Sequence, residues 1–397
     1  MHLTIVSPFP PTITGIGQYG YHVTRALANS GSFSRVTVLA GASNGASSEH
    51  PNHLGPTQIE YCWSPGQFNA RQTILSRLRR LSPDLVWFNL GVSVFGKSPW
   101  INVSGLLTPM LAQRIGVPTV VTLHELVELA DLQALDAPGG PLADWGARLL
   151  TDITTRADVI CLTMHHYANW LSKRGLDCVH IPIGAYHEPV LLEETDSEEL
   201  LFFTTLAPFK GLELLLEAFH TLRMEYPRLR LSIAGTEHTR FPNYARELRA
   251  RFNGMHGVQW LGQVMEDDVM DLFRRARIVV LPYTASTGSS SVLYQAATWG
   301  RAVVASDLSE IQSLVQESNL QVEFFASGNA ESLCKALRVL LDSPPRRYAQ
   351  AGHNFRCIQR TRPEKTCREY IKAFNRALEK RHSPKQIMIP RINTESV

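Results

Sequence analysis

The sequence predicts an α/β protein of two successive domains, each built on a parallel sheet, and three observations predict it. Its 397 residues exceed what one ordinary core holds and imply two domains of about 150 to 200 residues each. Short strand-like apolar runs alternate with longer stretches of helical period, which is the rhythm of βαβ units. That rhythm halts at a polar, acidic stretch from His187 to Glu199 and then begins again, so the chain divides near Pro182 to Glu199.

Taken in order, the first half supplies strand-like runs in "HLTIVS", "RVTVLAG", "DLVWFNL", "PTVVTLHEL" and "DVICLT". The second supplies "LLFFTTL", "LRLSIAG", "VQWLG", "RIVVLPY" and "RAVVASD". Between the first two runs the pattern predicts a helix over about 17–28, opened by the glycine-rich "TGIGQYG", Thr14 to Gly20. "RQTILSRLRRL", Arg71 to Leu81, interleaves arginines with Ile74, Leu75, Leu78 and Leu81. Such a basic amphipathic helix either packs its apolar side on the sheet or lies on anionic lipid. "MEDDVMD", Met265 to Asp271, reads as the acidic first turn of a helix, where carboxylates complement the dipole. Near the end, Tyr370, Ile371, Phe374 and Leu378 share one helical face within Cys367 to His382, and the last residues have no clear period.

Composition excludes several classes. Apolar residues make up 44% and charged residues 19%, values of a packed globular chain rather than a disordered one. A net charge of +3 from 39 basic and 36 acidic residues carries no nucleic-acid footprint. No apolar run approaches the roughly 20 residues that span a bilayer. The N-terminal run meets Pro8 too soon for a signal peptide, so a cytoplasmic protein is expected. The six cysteines have no C-x-x-C pair and no framework spacing, as expected of reduced structural thiols.

In parallel sheets ligands bind beyond the carboxyl ends of the strands, so the loops there carry the candidate residues. Gly15-x-Gly17-x-x-Gly20 has the spacing of a dinucleotide fingerprint but not its context. The turn should follow the strand at once, and a carboxylate should close the second strand. Here "PFPPTIT" separates Ser7 from Gly15, and the second strand ends in Leu39-Ala40-Gly41. The loop therefore either offers helix N-terminal amides to an anion or to sugar hydroxyls, or is a tight structural turn.

In the second half, Pro208-Phe209-Lys210-Gly211 joins a strand to an amphipathic helix. A lysine at that corner can neutralise a phosphate beside a helix N-terminus, although a solvated lysine has the same sequence signature. Thr287-Gly288-Ser289-Ser290 joins another strand to a helix bearing Gln295. Small residues there let backbone amides approach a diphosphate.

Together these motifs resemble glycosyltransferase family 4, the retaining nucleotide-sugar enzymes of GT-B fold. The resemblance rests on Gly15 to Tyr19, "VVTLHEL" with His124, "IPIG" with Gly184, "LAPFKG" with Lys210, and "GRAVVASDLSEI" from Gly300 to Ile311. It implies two Rossmann-like domains with parallel sheets facing a central cleft. They span 1–185 on the acceptor side and 186–369 on the donor side, with a C-terminal helix within 370–397 returning to the first. It further implies that Lys210, Gly15, Gly17, Gly288, Ser289 and Ser290 bind the donor diphosphate. Gln295, with Gly262 and Val264, takes the ribose and base. His124, Thr287 and Ser289 face the donor sugar, and His124, Lys210 and Glu125 form the catalytic group.

Two departures modify the donor side. Thr287 and Gln295 stand where the family's Glu-x7-Glu motif has glutamates, and Thr205 stands where an arginine often accompanies the lysine. Glutamine can still accept a ribose hydroxyl through its carbonyl oxygen, and Ser289 to Ser291 are expected to replace part of the first glutamate's work. Apart from the resemblance, His124 reads first as a hydrogen-bonded structural residue, and Glu125 equally as a local base or as a surface or capping residue. The resemblance implies a UDP-hexose donor, with GDP-mannose the rival, and no divalent metal or other cofactor. The expected acceptor is a saccharide or lipid-linked saccharide of an exopolysaccharide, with peripheral contact at the inner membrane face. A non-catalytic nucleotide-sugar-binding protein and a sugar-nucleotide epimerase, with Glu125 and Glu310 as its carboxylates, are the readings from other classes.

Overall fold

The computed structural model describes residues 1–11, 14–41, 53–129, 140–286 and 288–382. The apolar runs become strands of two sheets, which also hold strands that the runs did not include. In the first half the strands are β1 His2–Pro8, β2 Arg35–Gly41, β3 His53–Leu54, β4 Thr57–Trp63, β5 Leu85–Leu90, β6 Thr119–Leu123, β7 Val159–Leu162 and β8 Cys178–His180, of which β3, β4 and β8 lie outside the runs. Among the described residues they lie in the order β3-β4-β2-β1-β5-β6-β7-β8, parallel except for the short antiparallel pairing of β3 with β4. In the second half β9 Glu199–Phe203, β10 Arg230–Ala234, β11 Val258–Gly262, β12 Ala276–Leu281, β13 Ala302–Ser306 and β14 Glu323–Phe325 form a parallel sheet of order β11-β10-β9-β12-β13-β14.

Central strands are buried along their length because helices cover both sheet faces: β5, β6 and β13 have no exposed residue. Each sheet reverses its winding once, between β1 and β5 in the first and between β9 and β12 in the second. Those two switch points are where a doubly wound sheet opens a crevice for ligands. The helix after β1, α1, runs Gly15–Asn29, and β5 leads to Gly91. In the second sheet β9 leads to Lys210 and β12 to Ser290.

The helix α2, Ala70–Leu81, buries Ile74, Leu75 and Leu78. The apolar side that lipid contact required is spent on packing, so the amphipathic pattern reports a core-facing helix here.

The chain crosses between domains twice. Residues 181–198 lead from β8 to β9, and this segment is fastened to the second domain. Arg301, 1% exposed, donates to the carbonyls of Leu192 and Glu193 at 2.7 and 2.8 Å, and Arg347 forms a two-pronged pair with Glu194. The return is the helix Pro363–His382. It packs on α1, β6 and β7 and buries Tyr370, Phe374 and Ala377. The Tyr370 hydroxyl is 2.7 Å from that of Tyr19 and 2.8 Å from Thr122 Oγ1, which satisfies a polar tip inside an aromatic cluster with Trp87. Residues 383–397 of the expected tail lie outside the described residues.

Candidate active site at the two switch points

On the first domain, a buried asparagine organises the site. Asn89 Nδ2 donates to Ser7 Oγ at 2.9 Å and to the Ile16 carbonyl at 2.8 Å. The amide orientation is thereby set, and Asn89 Oδ1 faces His124 Nε2 at 2.6 Å. An amide oxygen only accepts, so His124 carries its proton on Nε2. Burial of the imidazole presses its pKa down to about 3, and His124 is neutral at any working pH. Its ring stands edge-on to Tyr19 with centroids 4.9 Å apart.

The three early glycines separate into different tasks. A Cβ on Gly20 would lie 2.4 Å from Ser7 Oγ, so this glycine exists to let α1 press against β1 and β5. A Cβ on Gly15 would meet nothing within 4 Å. Thr14 caps the helix by accepting from the Gly17 amide at 2.9 Å, so that amide is already engaged. Glu125 accepts from the Val92 amide at 3.0 Å, which ties its carboxylate to the end of β5.

On the second domain, Pro208–Lys210 forms one 3-10 turn before the helix Leu212–Arg223. Lys210 Nζ sits 4.0 Å from the ring centroid of Tyr283, a cation–π contact that positions the ammonium. Desolvation lowers its pKa to about 8, and the negative charge of Glu125 in the other domain partly opposes that shift. Lys210 and Glu125 thus act on each other electrostatically from the two domains.

The loop after β12 departs from expectation. Gly288 donates its amide to the Tyr167 hydroxyl at 3.2 Å, and Ser289 Oγ donates to the Thr163 carbonyl at 3.0 Å. Both groups, expected on a diphosphate, are occupied by the first domain in this arrangement. The cause is close approach: Gly288 has φ +72°, and a Cβ there would stand 2.1 Å from the His124 carbonyl oxygen. Ser290 is buried at the end of this loop, and Thr287 lies outside the described residues. Gln295 is buried in the helix Ser291–Thr298. Gly262 ends β11 and Val264 follows it, on an edge strand two places from the switch point. Gly262 accepts from the Gly235 amide at 2.7 Å.

Three participants escaped sequence reasoning. Asn89 shows as a single polar residue in the buried run "LVWFNL", a signal that could have been used. Tyr283 follows β12 within "LPYTAS", but only the fold brings it under Lys210. Tyr167 has no sequence signal, because its partner Gly288 is 121 residues away.

Comparison with known proteins bears on this geometry. The profile described as "Glycosyl transferase 4-like domain" matches residues 14–184, and that described as "Glycosyl transferases group 1" matches residues 197–343. No curated protein matches the sequence significantly. Among solved structures, the chain is similar to sucrose-phosphate synthase from Thermosynechococcus elongatus, with 15% identity, a TM-score of 0.76, and coverage of 96% of this chain and 100% of that one. It is similar to HepE from Anabaena in complex with UDP and glucose, at 14% identity and TM-score 0.71 over 94% and 99% of the two chains. It is also similar to the E. coli trehalose-6-phosphate structure bound with UDP-2-fluoro glucose, at 14% identity and TM-score 0.65, again over 94% and 99%. Two profiles in tandem, one on each domain, and a shared two-sheet architecture along the chain agree: it belongs to the GT-B glycosyltransferases of the family 4 type.

Proposed function

We propose that the chain transfers a hexose from a nucleotide diphosphate sugar, UDP-glucose or a similar UDP-hexose, to a saccharide or lipid-linked saccharide acceptor of exopolysaccharide synthesis. Transfer proceeds with retention and without a catalytic metal, at the cytoplasmic face of the membrane. The observation that carries the reading is Lys210, a desolvated cation at the second switch point, held on Tyr283. HepE, solved with UDP-glucose, and the protein solved with UDP-2-fluoro glucose support the choice of nucleoside.

In this reading the bond from the anomeric carbon to the diphosphate breaks, and its electron pair leaves with the phosphate oxygen. Lys210 stabilises the growing negative charge from a water-poor position, where a preorganised cation is most effective. Gly15 approaches the diphosphate from the first domain, Gly17 joins it where its amide leaves Thr14, and Gly288 and Ser290 do so once the donor displaces Tyr167. Gln295 receives the ribose, and the loop of Gly262 and Val264 receives the base. Neutral His124 offers its Nδ1 lone pair to a sugar hydroxyl, with Thr287 and Ser289 on the same sugar. The acceptor hydroxyl attacks the anomeric carbon and gives up its proton to Glu125.

The engaged Gly288 amide and Ser289 hydroxyl favour one second reading, a protein that holds nucleotide sugars without turning them over. Incubation with UDP-glucose, UDP-galactose and GDP-mannose, with free nucleotide measured over time, separates the two. Release of UDP from a UDP-hexose supports the transferase, and release of GDP alone redirects it to mannose. A thermal shift with UDP but no release from any donor would leave only the binding protein.

A further inference from the structure

A second cluster joins the two domains, independent of the diphosphate site and of the function proposed for it. His22 comes from α1, His187 from the first crossover, and Glu266 from the 3-10 turn Glu266–Asp268. Glu266 Oε1 is 2.9 Å from His22 Nε2 and 2.8 Å from His187 Nε2. One ligating atom from each residue lies within 4.8 Å of the others.

The surroundings fit a ligand set. His22 is 5% exposed and is stacked on Tyr186 with centroids 4.6 Å apart and planes 13° from parallel. His187 leans on Trp299. Both imidazoles are therefore held by packing before any ligand arrives. Glu266 and His187 retain 27% and 22% side-chain exposure, which leaves an approach from solvent. Two histidines and one glutamate with a fourth position open is a zinc donor set. With bonds of about 2.0–2.2 Å, the ligand atoms would separate only slightly from their present spacing.

We propose that His22, His187 and Glu266 bind one divalent metal of the zinc class, which pins α1 to the crossover and to the second domain. The metal's task is structural. It holds the helix that begins at Gly15 at a fixed distance from the segment that follows Val264, and so sets how the two domains face each other. The acidic cluster "MEDDVMD" then has a use beyond its helix: Glu266 leaves it to meet the histidines.

The test uses tag-free, full-length protein, stripped with chelator and exchanged into metal-free buffer. Cobalt(II) titration should give the visible absorption of a low-coordinate site, saturating at one equivalent and abolished by zinc. Zinc should also raise the thermal midpoint. His187→Ala and Glu266→Gln, both at partly exposed positions, should each weaken cobalt affinity by more than about 100-fold, since even second-layer partners of metal ligands are worth 10–100-fold. Absence of stoichiometric cobalt binding to the unsubstituted protein would overturn the proposal and leave a hydrogen-bonded clasp. Binding that survives in both variants would overturn it equally, by placing the metal elsewhere.

Discussion

The two switch points face each other but are built in opposite ways. In the first sheet, Ser7, Asn89, the Ile16 carbonyl and His124 form a neutral network that closes within its own domain. In the second, the distinctive groups are a cation on an aromatic ring and a small-residue loop whose hydrogen bonds run to Tyr167 and Thr163 of the other domain. One half is internally satisfied and rigid for that reason. The other depends on its opposite domain, so its geometry follows how the domains meet. In the proposed mechanism the cation serves the leaving group, and the fixed neutral histidine orients the sugar.

If that contrast is functional, removing the cation should cost most. Lys210→Ala is expected to lower kcat/KM for the donor by about 100–1000-fold, the range seen for one preorganised donor in a desolvated site, with an unchanged thermal midpoint. The unsubstituted enzyme carries the pH counterpart. Lys210 is charged below about pH 8 and neutral above it, so kcat/KM should be level below that value and fall through pH 8–9. A kcat that stays level there, because bound diphosphate keeps the lysine protonated, would sharpen the comparison. A turnover indifferent to Lys210 would break it.

On the neutral side the effects should be smaller. His124→Ala is expected to cost about tenfold in kcat/KM, in keeping with a neutral hydrogen bond of about 0.5–1.5 kcal/mol. Because His124 has a pKa near 3, the rate between pH 5 and 7 should not report its titration. A rate that falls with protonation near pH 6.5 and loses that dependence in the variant would contradict the neutral assignment.

The smallest expected effect is at the contact between the halves. Gly288→Ala adopts φ +72°, which costs an L-residue about 1–2 kcal/mol, and its methyl would overlap the His124 carbonyl oxygen, so the loop must also draw back from the first domain. It should lower the thermal midpoint by a few degrees and turnover by a few-fold, read by calorimetry and by donor consumption. An unchanged midpoint would mean that the loop does not press on the first domain.

Much of the fold was readable because central strands of a parallel sheet are apolar along their length, and each of the ten runs overlaps a strand. Lys210 and the glycine loop were readable for a related reason, since a strand–loop–helix junction marks its own position in an α/β fold. Asn89, Tyr283 and Tyr167 were not, because their meaning lies in partners from distant parts of the chain. The helix bearing Arg71 to Leu81 shows the limit in the other direction: its period revealed an apolar face, and only the fold decided that the sheet side, not lipid, covers Ile74, Leu75 and Leu78.

The sequence by itself determined the two α/β units, the change from one to the other along the acidic crossover and the strand-to-helix loops between elements, since these follow from local period and turn composition. The tertiary structure alone decided that Gly20 serves packing, that Tyr167 and Thr163 hold the Gly288 loop, and that His22, His187 and Glu266 converge. Local pattern fixes which face of an element is buried. What that face meets depends on long-range burial and hydrogen-bond satisfaction, which no short window of residues contains.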